Sequence, residues 1–138
     1  MTFNLDCAGR SYRAAPEVLD RPRHDAYADA VGASRAEGRN FDRPLACFAA
    51  VYLLGPIVPQ LFQDPKVGLD LEHLLHGEQE FSFTRKLSFD ESINPTGVIA
   101  QVDRRRGMVF LDFRCTAKDQ AGEVVTNSRS LFVVKENP

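Results

Sequence analysis

Pro44–Pro59 reads PLACFAAVYLLGPIVP, a nearly unbroken apolar stretch with no Asp, Glu, His, Lys or Arg. A helix made from it can be buried, but it brings no acid or base. Its length falls short of the ~20 residues a membrane-spanning helix needs. The spacing predicts a buried helix over Pro44–Leu54, with Pro44 in a first turn where no intrahelical donor is missed. Pro56 cannot donate to the carbonyl of Tyr52, so Gly55-Pro56 is expected to end the helix or bend it sharply. Ile57–Phe62 adds a short turn, and Gln63–Gly68 reads as a loop.

Downstream of the helix, four segments read as β-strands. Glu78–Leu87 alternates, with Phe81, Phe83 and Leu87 on one face and Glu80, Ser82, Thr84 and Lys86 on the other. Asp90–Gly97 is turn-rich. Val98, Ala100 and Val102 alternate up to the Arg104–Gly107 turn, and Val109, Leu111, Phe113 and Cys115 alternate with Phe110, Asp112, Arg114 and Thr116. Arg104–Gly107 and Asp119–Glu123 read as hairpin turns, and Val124–Val134 is the last strand. Short connections predict an antiparallel meander.

Upstream, Ser11–Leu19 is an extended entry segment. A short helix follows over Arg21–Val31, capped by Asp20 and closed by Gly32. Tyr27, Ala30 and Val31 make its apolar face. Gly32–Arg43 is a polar loop.

The 138 residues, 43% hydrophobic and 26% charged, suit one globular domain over residues 1–138. A formal charge of −2 argues against a nucleic-acid binder. Arg104, Arg105 and Arg106 form the one basic run, read as a solvated hairpin tip. Cys7, Cys47 and Cys115 lack metal or disulfide spacing; Cys47 and Cys115 sit in apolar contexts as core residues. No signal peptide or membrane span is evident, and the expected location is cytoplasmic.

A helix that is apolar all round needs cover on most sides, and a strongly curved sheet supplies it. The expected fold is therefore α+β of the hot-dog type, a curved antiparallel sheet wrapped around one central helix. A cone-shaped α+β fold is the rival, although there polar pocket groups would commonly sit on the helices.

His24–Gly32 (HDAYADAVG), Arg43–Ala50 (RPLACFAA) and Gly77–Glu91 (GEQEFSFTRKLSFDE) resemble the MaoC-like dehydratases and hydratases. The similarity runs from about Ser11 onward and is strongest to the short subunits of mycobacterial-type (3R)-hydroxyacyl-ACP dehydratases. Active members carry Gly-Asp-x-Asn-Pro-x-His after the short helix. That resemblance implies an Asp/His pair that moves the α-proton and the leaving hydroxyl, while a backbone N–H polarises the thioester carbonyl. Here Gly32 matches the glycine, but the Asp position falls on Ala33 and the His position on Gly38. No His lies between His24 and His73. The resemblance thus implies the motif-less partner in a heteromeric dehydratase.

Other residues are weaker candidates. Asp42, just before the buried helix, and His24, read as a surface residue, are the available catalytic groups. Phe48, Val51 and Tyr52 are spaced to face either an acyl chain or the sheet. His73 and His76 would share one face of a helix, but no third ligand is nearby, so no metal is expected. No cofactor is implied.

The expected function is an acyl-thioester-binding subunit of a (3R)-hydroxyacyl dehydratase or enoyl hydratase, taking acyl-CoA or acyl-carrier-protein substrate. It would form a homodimer or pair with a motif-bearing MaoC-like subunit that donates the Asp/His pair. Two alternatives stay open: a self-sufficient hot-dog dehydratase or thioesterase using Asp42 with Tyr52 or His24, and a non-enzymatic module that binds acyl ligands.

Overall fold

The computed structural model describes residues 3–33 and 40–136. The chain enters through two short strands, β1 (Ser11–Arg13) and β2 (Glu17–Val18), and then helix α1 (Arg21–Ala30). Asp20 caps α1 by accepting from the Arg23 N–H at 3.0 Å. Gly32, at φ +78°, closes it in the left-handed conformation that glycine adopts without strain. The buried side of α1 is His24 and Ala28, while Val31, expected on the inner face, is 56% exposed.

The apolar stretch forms one continuous helical path with three registers. A 3₁₀ turn over Ala46–Phe48 leads into a π-helical segment, Ala50–Leu54, and then helix α2 (Gly55–Phe62). Gly55-Pro56 therefore does not end the helix, the first of the two outcomes expected of it. The Gly55 N–H reaches back five residues to the Ala50 carbonyl. That wider register lets α2 begin afresh at Gly55, placing Pro56 in a first turn where a missing N–H costs nothing.

Four long strands complete the sheet: β3 (Leu74–Phe83), β4 (Ser92–Arg105), β5 (Met108–Lys118) and β6 (Val124–Lys135). The sheet order is β1-β4-β5-β6-β3, all antiparallel, with β2 also paired to β4. Only β4, β5 and β6 form a meander. β3 crosses to the far side and pairs with β6, so the expected simple meander is corrected. Arg106-Gly107 makes the tight β4–β5 turn, both residues at positive φ, and bears out the hairpin tip.

β4 begins within the segment read as a turn. Ile93, Pro95, Gly97 and Ile99 face inward, and a register shift at Ala100 then changes the face. Val98 and Ala100, read as part of one alternating set, are exposed. The sheet's inner face closes over the helical path, where Phe48, Tyr52, Leu53, Ile57 and Leu61 are buried against Ile99, Leu111, Phe113 and Phe132. Each such side chain contributes about 1.5–3 kcal/mol by leaving water. This sheet wrapped on a central helix is the hot-dog arrangement. One side of the helix stays uncovered, through Cys47, Ala50 and Pro59.

Candidate functional site

At the entry to the central helix lies a cavity of about 480 Å³. One wall is Pro44, Leu45 and Ala46, with Tyr52 at the base; the other is Phe83 of β3 with Leu87 from the β3–β4 connection. Arg43, Arg85 and Lys86 supply its charges. Apolar walls with a few convergent polar groups are the ordinary character of a small-molecule site. An outer-face groove of about 500 Å³ is instead lined by Arg114 and Arg129, both paired with Asp112, Arg114 along β5 and Arg129 across from β6.

Local structure explains the walls. Gly77 sits at a register shift in β3, after which Gln79, Phe81 and Phe83 point to the inner face. The connection after β3 is pinned by Arg85, which pairs with Glu91 and, at 3.1 Å, with Asp119. The Glu91 carboxylate also accepts from the Ser88 N–H at 3.1 Å. Arg85 is thus neutralised in place, and Arg43 and Lys86 carry the cavity's positive charge.

Tyr52 is 1% exposed, and its hydroxyl meets Thr126 Oγ1 at 2.7 Å. Burial pushes the phenol up to about 12, against the smaller lowering effect of the Thr126 bond. Tyr52 is therefore a neutral hydrogen-bonding group near neutral pH and no base. Thr126 begins a row of buried hydroxyls on the inner face of β6, continued by Ser128 and Ser130. Gln79 ties the row to β3: it donates to Ser128 Oγ at 2.8 Å and accepts from Ser130. His76 Nε2 lies 3.0 Å from Gln79 Oε1.

Of the residues expected to bind substrate, Tyr52 lines the cavity. Phe48 is fully buried among the rings of His24, Tyr27 and Tyr52, and Val51 is half-buried against the core. Asp42 is exposed beside the rim residue Arg43. His24 is not on the surface, as the sequence suggested, but fully buried. Cys47 is exposed instead of buried, whereas Cys7 and Cys115 are in the core. Burial drives the Cys115 thiol up to about 12.

His73 lies in a 3₁₀ turn and His76 in β3, so the helical pairing expected of them does not form. His73 is engaged by Asp70 at 2.7 Å. Among the described residues no group of three metal-binding side chains comes together. No described helix is long and apolar enough to cross a membrane. Ala33 is described, but residues 34–38 of the motif region lie outside the described residues.

Sequence reasoning missed Arg43, Phe83, Lys86 and Leu87 as cavity residues, and missed the hydroxyl row. The row was legible in principle: counting back in twos from Phe132 gives Ser130, Ser128 and Thr126. No Asp, Glu or His lines the cavity among the described residues.

Comparisons with known proteins agree with this fold. A UPF0336 protein of Streptomyces griseus subsp. griseus is 31% identical, spanning 98% of this chain and 97% of its own. The UPF0336 protein of Streptomyces coelicolor is 28% identical over the same shares. Among solved structures, the HadBC (3R)-hydroxyacyl-ACP dehydratase complex of Mycobacterium tuberculosis superposes with a TM-score of 0.75. Its identity is 17%, over 93% of this chain and 97% of that one. The ChsH1–ChsH2 complex of the same organism gives a TM-score of 0.64 at 14% identity, over 94% and 84%. A MaoC-like dehydratase gives 0.74 at 20% identity, over 95% of this chain and 43% of that one. Residues 11–128 match the family model described as FAS1-like, dehydratase domain region. With the hot-dog sheet, the central helix and that match in agreement, the chain belongs to the FAS1-like dehydratase-region family.

Proposed function

We propose that this chain binds an acyl thioester and serves (3R)-hydroxyacyl dehydration, or its reverse, enoyl hydration, with a catalytic Asp/His pair supplied by a partner subunit. The observation that carries the reading is a cavity with apolar walls, cations beside them and, among the described residues, no carboxylate or imidazole. Apolar walls suit an acyl chain. Arg43 and Lys86 suit the phosphates of coenzyme A or of a carrier protein's prosthetic arm. Reversible loss of water needs a group to take the α-proton and one to protonate the leaving hydroxyl. Tyr52, held neutral, is no such base.

A partner has places to sit. β3 is an edge strand, with Leu75 64% and Phe83 38% exposed, and the central helix is uncovered through Cys47, Ala50 and Pro59. An exposed strand edge is a template for pairing with another chain. The heteromeric HadBC and ChsH1–ChsH2 relatives make a motif-bearing hot-dog subunit the preferred partner over a second copy.

The test follows loss of conjugated absorbance from a trans-2-enoyl-CoA. The chain is assayed alone and then mixed with a motif-bearing MaoC-like subunit. Turnover in the mixture above that of the partner alone is the expected result. Turnover by this chain alone overturns the partner reading and directs attention to Asp42.

A further inference from the structure

His24 is a buried titratable side chain that the cavity reading leaves unused, and its surroundings are specific. Its ring is fully buried and meets three phenylalanines edge-on: Phe41 at 5.2 Å, Phe48 at 5.0 Å and Phe89 at 4.9 Å between centroids. The Leu45 N–H donates to His24 Nε2 at 3.0 Å. Nε2 therefore carries the lone pair, and the proton sits on Nδ1, which donates to Asp25 Oδ1 at 3.0 Å.

These contacts join the two cavity walls. Leu45 belongs to the wall at the helix entry, and its carbonyl accepts from the Phe48 N–H at 3.0 Å to start the first turn. Phe89 belongs to the β3–β4 connection, which supplies Lys86 and Leu87 to the opposite wall. One imidazole thus holds a backbone donor on one side and a ring from the other. An apolar residue at this position fills the space but leaves the Leu45 N–H without its acceptor.

We propose that His24 is a positioning residue for the acyl cavity: as a neutral acceptor it fixes the Leu45 wall relative to the Phe89 connection, and so sets the width available to the ligand. The inference rests on the acyl-cavity reading above. His24 touches no ligand itself; it acts through Leu45.

Two substitutions separate its parts. His24→Phe keeps an aromatic ring and removes the acceptor, whereas His24→Gln keeps an acceptor near Nε2 and removes the ring. Binding of trans-2-octenoyl-CoA is measured with amide exchange at Leu45. His24→Phe is expected to weaken binding about tenfold and to speed Leu45 exchange, while His24→Gln restores both toward the native values. Unchanged binding and exchange in His24→Phe, or equal losses in both variants, overturns the proposal.

If His24→Phe does not fold, the unaltered protein decides. The ¹⁵N resonance of Nε2 must be that of an unprotonated, hydrogen-bonded ring nitrogen, and a protonated Nε2 overturns the proposal. If the unaltered protein does not bind the enoyl-CoA at all, the acyl-cavity reading falls, and with it the role in setting ligand width. Leu45 exchange in His24→Phe then shows separately whether the wall contact exists.

Discussion

Gly97 and Ile57 meet so closely that a Cβ on Gly97 would stand 2.5 Å from Ile57 Cγ2; it would also stand 2.9 Å from Phe113 Cζ. The central helix approaches β4 where the sheet has no side chain. Gly97→Ala is expected to destabilise the fold by about 1–3 kcal/mol through overpacking. Removing the opposing methyl with Ile57→Ala should make the double variant less destabilised than the sum of the two singles. Urea denaturation of the four proteins checks this, and strict additivity would contradict the contact.

The Tyr52–Thr126 bond predicts a second coupling. Tyr52→Phe leaves the buried Thr126 hydroxyl without its partner and should cost about 1–2 kcal/mol. Tyr52→Phe with Thr126→Val should recover part of that loss. Burial is the main cause raising all three tyrosines, Tyr12 and Tyr52 to about 12 and Tyr27 by a smaller shift. A raised phenol contributes stability that is complete below its unfolded value of about 10 and is lost as pH climbs through the folded value. Phenolate absorbance should therefore appear later in the native protein than in urea, with stability falling over about pH 10–12.

The cavity's cations predict a salt-dependent ligand. Arg43→Glu and Lys86→Glu should each weaken enoyl-CoA binding about tenfold at low ionic strength and flatten its dependence on salt. Arg105→Glu at the hairpin tip, where the native side chain rests on Phe110, serves as the control and should change little. Equal effects from all three would mean general charge attraction and no site.

The acid limb of stability should run through Arg85. Its hydrogen bonds hold Glu91 below the usual carboxylate range, and Asp119 is lowered first by the Glu123 N–H and then by Arg85. Carboxyls depressed in the folded state stabilise it above their unfolded values, about 4.3 and 3.9, and that stability disappears as pH falls through the folded ones. The melting temperature should thus drop progressively below about pH 4.5, and Arg85→Gln should flatten the slope. An unchanged acid slope in Arg85→Gln would place the effect elsewhere.

Local rules carried much of this fold. The alternation of Val109 through Cys115, the Asp20 cap and the Arg106-Gly107 turn each depend on residues near in sequence, and each stands as read. What was not legible depends on distant atoms. Gly97 looks like a turn residue until Ile57 arrives opposite it. His24 looks like a polar residue at a helix start until Leu45 and three phenylalanines enclose it. Gly55-Pro56 looks like a stop because the five-residue reach of the π-helical segment leaves no trace in composition. The cavity was harder still: Arg43, Tyr52, Phe83 and Lys86 converge from three parts of the chain, and only Tyr52 had drawn notice.

The position of β3 has a consequence for assembly order. During synthesis β3 emerges before β4, yet its ladder partner is β6, from Leu74 with Val134 to Phe83 with Thr126. Closing so wide a loop is slow, and the waiting strand stays open to other partners. The strand we propose for subunit contact is thus also the last to find its place within its own chain. A C-terminal truncation that removes β6 would strip two strands from the sheet, and a subunit that meets its partner while still being made would present β3 unpaired along both sides.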